Sequence, residues 1–88
     1  MREIYGQKMM KVEIKFYADL KERYCPNNQD GIIEIILDNG STIKDIFERL
    51  QIDDREIGFV MQNEKKVQKD AILHDGDFVH ILSFVAGG

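Results

Sequence analysis

One stretch of this chain, and one only, carries a multi-turn helical stripe. Ile43, Ile46, Phe47 and Leu50 fall at i, i+3, i+4 and i+7, on one face of a helix. Thr42 with Asp45 three residues on is a capping-box pattern at its start. Most of the other apolar residues alternate or run in short β-branched stretches. A chain of 88 residues has material for one core, so that stripe has to cover a sheet.

Lys11-Val12-Glu13-Ile14-Lys15-Phe16-Tyr17 alternates with period 2, Val12, Ile14 and Phe16 on one side, as a half-buried strand does. Ala18 to Tyr24 has room for one or two helical turns. Pro26-Asn27-Asn28-Gln29-Asp30-Gly31 is turn chemistry and hands over to a second strand, Ile32 to Leu37. Asp38-Asn39-Gly40 breaks that strand ahead of the helix. Ile52 to Glu56 is expected to close the helix and lead into a third strand, Ile57 to Met61. Asn63-Glu64-Lys65 turns into a short strand around Lys66-Val67-Gln68, Asp70 to Leu73 reads as a single 3₁₀ turn, and Asp75-Gly76-Asp77 turns into a last strand, Phe78 to Val85.

The order β-β-α-β-β-β predicts an α+β fold, a β-grasp (ubiquitin-like) mixed sheet with one main helix packed across it. The expected organisation is a flexible leader at 1–8, the β-grasp domain at 9–84 and a flexible Gly-Gly arm at 85–88.

Composition narrows the function. Net charge is −4 and the 12 Lys and Arg residues are scattered apart from Lys65-Lys66, so no basic stripe is available for nucleic acid. A mildly acidic surface suits a partner with a basic docking face. The single cysteine, Cys25, permits neither an intramolecular disulfide nor a four-thiolate [2Fe–2S] cluster. Nothing places a histidine or helix N-terminus to activate it, and an inert thiol is expected. No apolar run is long enough for a bilayer, and the first eight residues lack a signal core, so a cytoplasmic protein with no membrane partner is expected. His74 and His80, even with Asp75 and Asp77, do not make a zinc set, Asp75-Gly76-Asp77 lacks the spaced ligands of a calcium loop, and Asn39-Gly40-Ser41 is too short to cradle phosphate. No metal and no bound cofactor are expected.

The sequence ends in Val85-Ala86-Gly87-Gly88. Two terminal glycines arise by chance in roughly 0.5% of chains. On these residues alone a frayed end is the simpler reading. The alternative makes Gly88 the reacting residue: once its carboxylate is adenylated, a persulfide or thiolate can displace AMP from the acyl carbon on the way to a thiocarboxylate, and Gly87 lets the arm thread a narrow channel.

The strand before the tail adds to this. Val79 and Ile81 are expected in the core, leaving Phe78, His80, Leu82 and Phe84 on the open face. A strand with large hydrophobes on its wet side points to docking. Phe78, His80, Leu82 and Phe84, continued by Val85 and Ala86, are the predicted partner-binding residues, with His80 at the rim and His74 solvated.

Three segments in order resemble a known family. Lys11 to Glu22 resembles the opening of the MoaD branch, the small subunit of molybdopterin synthase. Leu73-His74-Asp75-Gly76-Asp77-Phe78-Val79 resembles the Leu-x-Asp-Gly-Asp-x-Val/Ile turn shared by MoaD and the thiamine sulfur carrier ThiS. Phe84-Val85-Ala86-Gly87-Gly88 resembles their common ending, nearer the ThiS type, while the head and length are nearer MoaD. The resemblance to the MoaD/ThiS sulfur carriers covers about residues 9–88.

That resemblance implies a carrier protein that is no enzyme by itself, adenylated at Gly88 by an ATP-consuming adenylyltransferase of the ubiquitin-activating type. It implies a sulfur donor such as a cysteine desulfurase, and delivery to molybdopterin through the synthase large subunit or to thiamine thiazole through thiazole synthase. Two other uses stay open: a protein modifier forming isopeptide bonds with lysines, and a binding module with an idle tail.

Overall fold

The computed structural model describes residues 9–83. The expected leader at 1–8 and the roles expected of Phe84, Val85, Ala86, Gly87 and Gly88 therefore lie outside the described residues. Five strands and two helices follow one another as β1 (Met9–Phe16), α1 (Asp19–Tyr24), β2 (Ile32–Asp38), α2 (Ile43–Leu50), a 3₁₀ turn (Asp54–Glu56), β3 (Ile57–Gln62), β4 (Lys65–Val67) and β5 (Phe78–Ser83).

The strands form one mixed sheet in the order β2-β1-β5-β3-β4. β1 pairs antiparallel with β2 and parallel with β5, while β3 pairs antiparallel with both β5 and β4. With α2 packed across one side, this is the expected β-grasp. The alternation of β1 puts Met10, Val12, Ile14 and Phe16 into the core, where they meet Ile43, Ile46 and Phe47 of α2 and Val79 and Ile81 of β5. Burial of such side chains, each worth about 1.5–3 kcal/mol, is what holds the helix to the sheet.

Gly31 closes the turn between α1 and β2. Its φ is +72°, and a Cβ there would lie 2.7 Å from the Phe16 carbonyl oxygen. Asn28 holds the turn, its Oδ1 accepting from the Asp30 and Gly31 N–H groups at 2.9 and 3.1 Å.

The helix ends earlier than expected. Gln51 adopts the left-handed conformation (φ 59°, ψ 46°), and the Ile52 N–H reaches the Phe47 carbonyl at 2.9 Å, the outer bond of a Schellman stop. Asp53 then caps the 3₁₀ turn by accepting from the Arg55 N–H, so Ile52 to Glu56 is a separate connector. The expected 3₁₀ turn at Asp70–Leu73 is also replaced. Ile43 and Lys44, whose N–H groups have no partner within the helix, donate to the Ala71 and Lys69 carbonyls at 3.1 and 2.9 Å, and Ile72 bridges Thr42. The helix start recruits that segment: the Leu73 N–H that would close the expected turn donates to the Ser41 carbonyl at 2.8 Å, and the local turn forms earlier in the chain, with the Ala71 N–H on the Gln68 carbonyl at 3.1 Å. At the same end Asp45 Oδ2 accepts from the Thr42 N–H at 2.8 Å, as the capping pattern requires.

Candidate functional site

Residues in lateral register share a sheet face, so the pairing defines what the uncovered side presents. β5 runs through its middle. Val79 and Ile81 are fully buried under the helix, and Phe78, His80 and Leu82 lie half-buried on the other side. Phe59 and Met61 of β3 stand beside Leu82 and His80. Lys15 of β1 is in register with His80, and Lys66 of β4 with Met61. One row thus runs Lys15, His80, Met61, Lys66 across four strands. The next row toward the C-terminal end of β5 holds Leu82 and Phe59, with Tyr17 following β1 on the same side.

His80 sits inside this surface and not at its rim. Tyr17 Oη lies 2.7 Å from its Nδ1, and the Phe78 ring stacks on the imidazole with centroids 4.7 Å apart. Tyr17 is the titratable neighbour that sequence reading did not supply, because the parallel β1–β5 pairing joins positions 63 apart in the chain. Phe59 is 37% exposed, a large apolar side chain at a position that the strand pattern alone left unassigned.

The two lysines rest on aromatic rings, Lys15 Nζ 5.2 Å from the Tyr17 centroid and Lys66 Nζ 5.3 Å from that of Phe59. Cation–π contacts of this kind keep the stems down on apolar surface while the ammonium stays wet.

Asp77 anchors the far end of the face and is only 7% exposed. Its carboxylate accepts from Gln62 Nε2 at 2.6 Å, Asn63 Nδ2 at 3.1 Å and the His74 N–H at 2.8 Å. Burial disfavours its charge, but these donors outweigh burial and hold the carboxyl below the usual carboxylate range. Asn63 in turn accepts from the Phe78 N–H at 3.0 Å, locking the β3–β4 turn to the start of β5. The Asp75-Gly76-Asp77 turn is a clamp on the sheet: Asp75 Oδ1 accepts from the Lys11 N–H at 2.8 Å. His74 is largely solvated, its Nδ1 3.8 Å from Asp77.

Cys25 is buried just after α1. Burial pushes its thiol up, against the pull of Lys21, so the geometry favours the unreactive protonated form. Among the described residues no three His, Cys, Asp or Glu side chains converge in a metal-binding group. No helix among them is long and apolar enough to cross a membrane.

Sheet order, parallel β1–β5 core and crossing helix define a ubiquitin-like β-grasp domain. The sequence profile described as Mut7-C ubiquitin matches residues 9–84, and the chain belongs to that family. No curated protein sequence matches it. Several solved structures share its fold. A Pyrococcus furiosus protein, the putative molybdopterin converting factor subunit 1, superposes with a TM-score of 0.68 at 22% identity, over 84% of this chain and 97% of that one. The Haloferax volcanii HVO 2177 protein gives 0.73 at 23% identity, over 99% and 94%. Small archaeal modifier protein 1 of the same organism gives 0.67 at 16% identity, over 84% and 97%.

Proposed function

We propose that the chain is a cytoplasmic ubiquitin-like sulfur carrier whose Gly88 is adenylated and then converted to a thiocarboxylate. The observation that carries this is the position of the apolar face. Tyr17, Leu82 and Phe59 lie at the C-terminal end of the central strand, the strand from which the sequence runs on into Phe84-Val85-Ala86-Gly87-Gly88. A partner seated there is placed to receive the arm.

The chemistry asks little of the carrier. The activating enzyme joins the Gly88 carboxylate to the AMP portion of ATP and releases pyrophosphate. Sulfide attacking the acyl carbon expels AMP and gives the thiocarboxylate directly. A persulfide attacking there expels AMP to give an acyl disulfide, whose S–S bond a second thiol of the donor then cleaves, releasing the thiocarboxylate and leaving the donor as a disulfide. Gly87 supplies a backbone with no Cβ for the channel, and Phe78, His80, Leu82, Phe84, Val85 and Ala86 make the grip. No cofactor is bound by the carrier in this scheme, and ATP is consumed by its partner. The favoured destination of the sulfur is molybdopterin, through a synthase large subunit, with thiazole formation for thiamine as the alternative. Deleting Gly88 is expected to abolish sulfur transfer, and transfer that survives the deletion would rule the mechanism out.

The likeness to a small archaeal modifier gives a second reading. The same acyl-adenylate attacked by a lysine amine gives an isopeptide bond. High-mass, Gly88-dependent conjugates on a denaturing blot of host extract are its signature.

A further inference from the structure

Taking as its basis the reading that the open face docks the partner that handles the arm, we infer the chemistry of that partner: an apolar anchor flanked by two carboxylates. The whole chain, at −4, points to a basic partner. The face itself is arranged otherwise. Lys15 and Lys66 lie in the same transverse row on either side of His80 and Met61, Lys66 on the edge strand β4 and Lys15 on β1 with Ile32 of β2 beyond it. Both lean toward the next row at the C-terminal end of β5, over Tyr17 and Phe59. The nearby carboxylates are not set against these lysines. Glu13 and Glu34 share this face one row toward the start of β5, facing each other across β1 and β2 with Lys11 4.0 Å from Glu34, while at the other end Glu56 is paired with Arg23 beside Asp19 and Ser83. Among the described residues neither Lys15 nor Lys66 has a carboxylate within ion-pair distance.

An apolar group that settles on Tyr17, Leu82 and Phe59 strips water from both ammonium groups. That desolvation is costly unless each finds an anion, and a basic partner adds repulsion to it. The spacing is set by the sheet: β1 and β4 are three inter-strand steps apart, so the partner's carboxylates belong about 14 Å apart, one on each side of the anchor.

The first test uses the full chain with its host's ATP-dependent activating enzyme, read by ATP–pyrophosphate exchange. The double variant Lys15→Glu/Lys66→Glu is expected to raise KM on the order of tenfold with kcat nearly unchanged, and Lys15→Arg/Lys66→Arg to restore the wild-type value. Raising ionic strength is expected to weaken the wild-type interaction and not that of the Glu variant. An unchanged or lowered KM for the charge reversal overturns the inference.

Exchange that persists without Gly88, or none with the intact chain, counts against the carrier reading and leaves docking to a second measurement. The ¹⁵N-labelled chain is titrated with two peptides that share a Leu-Phe centre, one flanked by Glu and one by Lys. Shifts at Lys15, Tyr17, Phe59, Lys66 and Leu82 with the Glu-flanked peptide alone support the inference. An equal or larger response to the Lys-flanked peptide, or none to either, overturns it.

Discussion

Tyr17 and His80 meet at 2.7 Å, hydroxyl to Nδ1, across the parallel pair of strands in the centre of the sheet. The contact holds the imidazole, stacked on Phe78, in the row that Lys15 and Lys66 flank. Removing the hydroxyl leaves a half-buried ring nitrogen without this partner. Tyr17→Phe is expected to cost about 1 kcal/mol in denaturant unfolding. It should also change the imidazole ¹⁵N shifts of His80. Unaltered stability together with unaltered His80 shifts would mean the bond does not form in solution.

Asp77 ties acid sensitivity to the fold. Its carboxyl is held below the range it has in the unfolded chain, so the native state binds fewer protons in acid. Its contribution is therefore complete above the unfolded value, about pH 4, and is lost as pH falls through the lower folded value. Asp77→Asn sets an amide among three donors and is expected to cost about 1–3 kcal/mol at neutral pH. The acid limb of stability against pH should flatten in the variant. A variant with the same acid limb as wild type would contradict this assignment.

Arg49 guards an edge. β2 borders the sheet, and two of its carbonyls are occupied by side chains: Ile32 by Asn28 Nδ2 at 2.6 Å and Ile36 by Arg49 Nη1 at 3.1 Å. Ile36 itself is 44% exposed. Arg49→Ala uncovers a carbonyl beside an exposed isoleucine on an unpaired edge. The expected result is concentration-dependent self-association in sedimentation velocity, with a stability change of only about 0.5 kcal/mol. A variant that stays monomeric at concentrations where proteins of this size are usually studied by NMR would show that the edge needs no guard.

The fold was legible because its signals are local. The alternation Val12-Ile14-Phe16, the stripe Ile43-Ile46-Phe47-Leu50 and the Asp75-Gly76-Asp77 turn each state their element within a few residues. What local pattern could not show is where α2 stops and what caps it. Gln51 takes a left-handed conformation usually given to glycine, and Lys69 and Ala71 serve the helix from a segment some 25 positions away. The candidate face was half visible. Phe78, His80 and Leu82 follow from the doubly apolar last strand. Tyr17, Phe59, Met61 and the two lysines join them only through strand pairing, which no period-2 count can supply.

The central claim concerns Gly88, and mass spectrometry addresses it most directly. The purified chain is incubated with ATP, the host's activating enzyme and a sulfur donor, then fragmented. Replacing one oxygen by sulfur has the nominal mass of a methionine oxidation, and the chain has four methionines, so the fragment ions must place the change. Sulfur on the C-terminal glycine, sensitive to thiol-directed alkylation and absent when ATP is withheld, is the expected result. A C-terminal fragment that keeps its original mass in the complete mixture would contradict the carrier function and leave the open face as a binding surface alone.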